Sequence, residues 1–269
     1  VWTLFQNLSR SGHAPILFRN KYSVEWPLKD RFNIAPTQYV PVIVAYAKPE
    51  LAELYWGLIP SWVRDMSMAP RNINARAETV DEKPMFRNAF KKRHCLVPAS
   101  GFYEWKKSED GKIKTPYYFT AADGSPLMLA GLWESWNGMG QEIPSFTIIT
   151  AEANETVAPL HDRMPVIIPP DKYDEWLYPS SMSKDLLAPA PNDLLQYWEV
   201  SKSVESGRFL IAGTLAYAAH AEFEICFKLF TDGAARGDAG TVVVVGLTEF
   251  SFLLHRASFF FPPIRPVCN

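Results

Sequence analysis

Apolar and β-branched residues fall in short runs between Pro, Gly and Asn, and helical spacing is weak along the chain. That pattern predicts a strand-rich α+β domain with mostly antiparallel sheets. Residues 39–46 (Tyr-Val-Pro-Val-Ile-Val-Ala-Tyr) read as a strand that Pro41 places near a sheet edge, because proline donates nothing to a ladder. Residues 127–133 and 146–150 read as buried strands. Two short helices are expected, at 154–160 and at 170–177, the second opening on Pro-Pro-Asp. In 101–105, Gly-Phe-Tyr-Glu-Trp, strand alternation sets Glu104 on the face of Phe102 and opposite Tyr103 and Trp105.

The pattern changes after about Ser206. The segment 206–269 is strongly apolar, with Val242–Val245 and Phe259–Phe261, but Glu249, His255 and Arg256 interrupt it, so no run is long enough to span a bilayer. The expected organisation is therefore a domain over 1–205 and an atypical tail over 206–269, fused or frameshifted onto it.

Composition narrows the function. With 269 residues, 48% hydrophobic and 21% charged, the chain is an ordinary globular protein, which excludes disorder and disulfide miniproteins. Lys and Arg number 27 against 29 Asp and Glu, so nucleic-acid or membrane binding has to be local. Cys95, Cys226 and Cys268 form no CxxC pair or zinc-type cluster, and no secretory signal opens the chain, so a cytoplasmic protein is expected. Between Arg71 and Lys114, eleven basic residues face six acidic ones, densest at Arg87, Lys91, Lys92 and Arg93. This surplus fits either a solvated helix end or, with nearby aromatics such as Trp56, Trp62 and Trp105, a groove for single-stranded nucleic acid.

Five motifs carry candidate chemistry: Arg31-Phe32-Asn33-Ile34-Ala35-Pro36-Thr37, Trp56-Gly57-Leu58-Ile59-Pro60-Ser61-Trp62, Asn72-Ile73-Asn74-Ala75-Arg76-Ala77-Glu78-Thr79, the Glu104 run, and Leu160-His161-Asp162-Arg163-Met164-Pro165. Taken singly, Glu104 is a carboxylate beside rings, able to hold a proton near neutrality if desolvated, or a strand glutamate paired with a lysine. His161 can move a proton or serve the structure, and Asn74 can be a turn residue. Arg76 and Arg163 can each grip phosphate or bridge a local carboxylate.

In order and spacing the five motifs resemble the SRAP family, the SOS response-associated peptidase or abasic-site-processing proteins, over residues 1 to 205. The resemblance implies a barrel-like core flanked by short helices, and a substrate of single-stranded DNA bearing an abasic site. It also implies that an N-terminal cysteine attacks the ring-opened sugar aldehyde through its α-amine and closes a thiazolidine with its thiol. By the same resemblance Asn74 positions the amine, Glu104 shuttles protons and His161 assists at the sugar. Arg76 and Arg163 hold phosphate, and Trp62, Trp105 and Pro36 line the DNA path. No metal or organic cofactor is implied, no membrane partner, and a monomer is the default.

The sequence departs from the family at its start, where Val1-Trp2-Thr3 stands in place of Met-Cys-Gly-Arg, and the expectation is a truncated record. Four extended residues span about 13 Å, too far for the Val1 amine to substitute. Cys95, an internal thiol without a neighbouring amine, cannot form the same ring. A noncovalent single-stranded DNA-binding module is the alternative reading, and general proteolysis ranks last, since no catalytic triad is legible. In the tail, residues 229–240 resemble the first strand and turn of ribonuclease H-like proteins, with Asp232 at a metal-binding position, but too little chain follows to complete that site.

Overall fold

The computed structural model describes residues 3–6, 31–64, 72–138, 140–179, 184–202 and 204. The apolar tail with Asp232, Cys226 and Cys268 lies outside the described residues. Within them the chain forms β1 (Thr3–Gln6), β2 (Arg31–Ile34), β3 (Tyr39–Ala45), β4 (Pro49–Trp56), β5 (Asn74–Arg76), α1 (Arg87–Lys92), β6 (His94–Ala99), β7 (Gly101–Lys107), β8 (Lys114–Ala121), β9 (Leu127–Gly138), β10 (Gln141–Glu152), β11 (Arg163–Pro165), α2 (Tyr173–Leu177) and β12 (Leu195–Glu199).

Two sheets result. One runs β12-β8-β7-β1-β2 and is antiparallel throughout. The other closes on itself, because β10 pairs with both β4 and β9 while β4, β3, β6 and β9 are joined in turn. This five-stranded barrel has one parallel step, β4 to β10, and otherwise antiparallel steps. Closure removes free edges from a sheet built of apolar strands. Leu4, Ile34, Phe102 and Phe119 from the open sheet share one core cluster with Val42, Trp56 and Phe146 from the barrel and Met164 from β11.

The strands expected at 127–133 and 146–150 are the inner parts of β9 and β10. The strand expected at 39–46 forms, but it is interior rather than at an edge: β3 pairs with β4 on one side and β6 on the other. Pro41 fits because pairing with β6 involves Ile43 and Val44, leaving Pro41 paired to Glu53 of β4 alone. The helix expected at 170–177 forms as a 3-10 turn, Pro170–Lys172, followed by α2. The helix expected at 154–160 does not form. Asn154 caps a first turn by accepting the Val157 N–H on Oδ1 and the Ala158 N–H on its carbonyl, Pro159 has no N–H to continue that ladder, and a second turn closes instead from the Leu160 and His161 N–H groups to the Val157 carbonyl.

Candidate active site at the junction of the two sheets

Alternation in β7 works as the sequence predicts. Phe102 and Glu104 turn inward and are 0% and 2% exposed. Tyr103 packs on the other side with Tyr118 and Val204, and Trp105, half-buried, packs against that same cluster. Trp105 therefore stands on the face of β7 opposite Glu104.

Glu104 keeps its carboxylate in a nearly water-free position. Oε1 accepts the Trp105 backbone N–H at 3.1 Å, whereas Oε2 is buried without a hydrogen-bond partner. Burial raises its pKa above the ordinary carboxylate value; the Trp105 N–H and the nearby His161 oppose that rise.

His161 follows the Asn154 turn and precedes β11. Its Nε2 lies 4.0 Å from Glu104 Oε1, joining the loop ahead of β11 to the open sheet. The Arg163 backbone N–H donates to Nδ1 at 2.9 Å. The same nitrogen lies 3.1 Å from the Arg163 carbonyl oxygen, so the Arg163 backbone holds the ring by its Nδ1 edge while Nε2 faces Glu104. The Asp162 carboxylate, 3.2 Å from Nδ1 and largely exposed, adds negative charge on the outer side.

Asn74 and Arg76 lie on β5, which pairs in parallel with β10 through Ile148–Asn74, Ile149–Ala75 and Thr150–Arg76. At Thr150 the opposite edge of β10 meets Pro165 of β11. Arg163 of β11 reaches across this end of β10: Nη2 donates to the Thr150 carbonyl at 2.5 Å, and Nη1 and Nη2 meet Glu78 Oε1 and Oε2 at 2.9 Å each. The guanidinium thus grips a carboxylate, the local bridge that the sequence left open beside phosphate. Glu78 and Thr150 escaped sequence reading, although Glu78 sits two residues past Arg76 in the same motif. Arg76 is exposed, while Asn74 is partly buried with an unpartnered buried Oδ1.

Pro36 sits half-buried in the turn after β2, where Thr37 holds a positive φ of 73°. That turn is docked on the end of β4 by Thr37 N–H to Trp56 O and Trp56 N–H to Gln38 O. The chain leaves β4 through Gly57, at φ 144°, towards Trp62, which is 57% exposed. Of the basic cluster, Arg87, Lys91 and Lys92 are exposed on or beside α1, whereas Arg93 is paired with Glu134.

Cys95 is fully buried and burial pushes its thiol far above the ordinary range, so it presents no thiolate. Among the described residues no group of three or more His, Cys, Asp or Glu is placed to hold a metal ion, and no helix is long and apolar enough to cross a membrane.

A closed barrel packed on an open sheet, with a buried glutamate facing a partly exposed histidine and an Arg-bearing rim, defines a class, and residues 8–207 match the SOS response associated peptidase (SRAP) family. The chain belongs to that family. It is 40% identical to the abasic site processing protein YoaM of Bacillus subtilis over 65% of this chain and 79% of that protein. It is 32% identical to YedK of Escherichia coli, over 55% of this chain and 64% of that protein, and 31% identical to HMCES of Xenopus tropicalis, over 66% and 63%. Both carry the same descriptive name, abasic site processing protein. A crystal structure from Bordetella bronchiseptica superposes with a TM-score of 0.63 at 28% identity, covering 74% of this chain and 99% of that one. A second, from Bacteroides thetaiotaomicron, gives 0.62 at 30%, covering 66% and 81%.

Proposed function

We propose that this protein binds abasic sites in single-stranded DNA and that the Glu104–His161 pair handles protons at the opened sugar. The observation that carries this reading is the buried Glu104 with one oxygen unpartnered and the other 4.0 Å from His161. An acid whose pKa is raised by burial, beside a histidine, suits a step that needs proton delivery and then removal. The names of the relatives supply the lesion. Its ring-opened sugar carries an aldehyde.

In the covalent form of the reaction, a cysteine α-amine adds to the aldehyde carbon, the carbinolamine loses water with a proton from Glu104, and the iminium nitrogen returns a proton to the Glu104 carboxylate, leaving an imine. The thiol then adds to the imine carbon, its proton passing to nitrogen, and the thiazolidine shields the lesion. β1 supports this placement: it runs antiparallel to β7 with Thr3 opposite Tyr103, so the N-terminal end of the strand lies beside the neighbour of Glu104. Asn74 with its free oxygen suits the role of orienting an amine, and Arg76 that of meeting a phosphate.

The test is an oligonucleotide with one abasic site, incubated with the chain as given and with Met-Cys-Gly-Arg placed ahead of Val1, and run on a denaturing gel. A shifted band for the extended chain, lost in its Glu104→Gln variant, is the expected result. No band from either chain overturns the covalent step, and retained binding in native conditions then leaves a noncovalent binder.

A further inference from the structure

The stretch between β4 and Trp62 is held more firmly than an exposed loop requires. Gly57 N–H donates to Phe146 O, Ile59 N–H to Ser145 Oγ at 2.9 Å, and Val63 N–H to Pro60 O, which closes a turn with Ser61 and Trp62 at its two central positions. The turn is then pinned from within by Trp136 of β9. This indole is 1% exposed and its Nε1–H donates to Val63 O at 2.6 Å. Gly138 leaves room for the ring, since a Cβ there would come within 2.3 Å of it. Beside the indole, Glu134, paired with Arg93, places Oε2 3.5 Å from Ser61 Oγ.

A buried tryptophan that spends its one polar atom on the residue next to an exposed tryptophan does more than fill the core. We propose that Trp136 is a positioning residue: its N–H fixes the Pro60–Val63 turn so that the Trp62 ring is held out, at low entropic cost, as a stacking platform for an unpaired base. This rests on the reading that the protein binds single-stranded DNA. Base stacking tolerates any sequence and is little affected by salt, whereas phosphate contacts are salt-dependent, so the two contributions separate experimentally.

The experiment measures binding of a single-stranded oligothymidylate by fluorescence anisotropy at several salt concentrations, with thermal melting in parallel. Trp136→Phe keeps an aromatic ring, smaller than the indole, and deletes the donor. It is expected to weaken binding about three- to tenfold with the salt slope unchanged, Trp62→Ala about five- to tenfold, and the double variant no more than Trp62→Ala alone. Gly138→Ala, which displaces the indole, is the second probe and should mimic Trp136→Phe. If Trp136→Phe binds like the wild type while Trp62→Ala does not, or if the two losses multiply, the positioning role is wrong and DNA binding stands. If Trp62→Ala binds like the wild type, the turn is no platform and the proposal falls. If the wild-type protein binds no oligonucleotide, the DNA reading itself fails and takes this inference with it.

Discussion

Glu104 of β7 and His161, in the loop ahead of β11, meet with Oε1 and Nε2 4.0 Å apart, although β7 and β11 belong to different sheets. The contact depends on both sheets sharing one core, and it places a buried acid against a histidine that is one-third exposed. The acid is screened from water and the histidine opens to it.

Glu104→Gln should abolish function without harming the fold. General acid-base residues contribute about 100-fold or more, so adduct formation by the Cys-bearing chain is expected to fall at least that far. Stability moves the other way. Because the native pKa is raised, the folded state holds the proton more tightly than the unfolded one, and stability declines as pH rises from the ordinary glutamate value through the raised native value. The variant lacks this decline, so urea melts of the two proteins should diverge with rising pH, the variant ending at least as stable near neutrality.

The Arg163–Glu78 pair predicts an acid limb. Hydrogen bonding to Arg163 lowers the Glu78 pKa, so its stabilisation is complete above the ordinary glutamate value and is lost as pH falls through the depressed one. Glu78 is half-exposed, which limits the pair to about 1 kcal/mol. Arg163→Ala also frees the Thr150 carbonyl and should cost about 1–3 kcal/mol at neutral pH. Thermal melts from pH 3 to pH 7 should show a shallower acid limb in this variant.

Arg76 is expected to act through charge. Replacing it with Ala should weaken single-stranded DNA binding uniformly across sequences and reduce the slope of log affinity against log salt by about one. An unchanged slope would remove Arg76 from the phosphate contacts.

Gly101 opens β7 where backbones crowd. A Cβ there would lie 2.2 Å from Phe119 O, a backbone atom of the paired strand that cannot move aside independently, and 2.4 Å from the Tyr118 hydroxyl. Gly101→Ala should lower stability by about 2–4 kcal/mol, read from the urea midpoint, and should disturb Glu104 through the displaced strand.

Thr37 is strained at φ 73°, a conformation costly for a β-branched side chain. Thr37→Gly should stabilise the fold by about 1 kcal/mol in the same measurement. Weaker DNA binding in that more stable variant would assign the Pro36–Thr37 turn to the DNA path.

Local alternation and punctuation made the strands legible, because successive side chains of a strand take opposite faces; Phe102 and Glu104 share one face, and Tyr103 and Trp105 pack on the other with Tyr118 and Val204. The ordered motifs likewise carried the family, and they named Glu104 and His161 before any geometry. Nothing local could reveal that β10, after its hairpin with β9, pairs in parallel with β4 and closes the barrel, since that pairing joins strands distant along the chain, nor that Pro41 sits in an interior strand whose pairing with β6 is confined to Ile43 and Val44. The short helix expected before His161 failed on one missing N–H at Pro159, and the resulting turn is what leads the chain to His161. The amino-acid sequence determined which residues are chemically able to act. Tertiary structure decided which of them meet: it buried Glu104, brought His161 to it, gave Arg163 to Glu78 and placed Trp136 under the Trp62 turn, because desolvation and partner choice depend on strands that are distant along the chain.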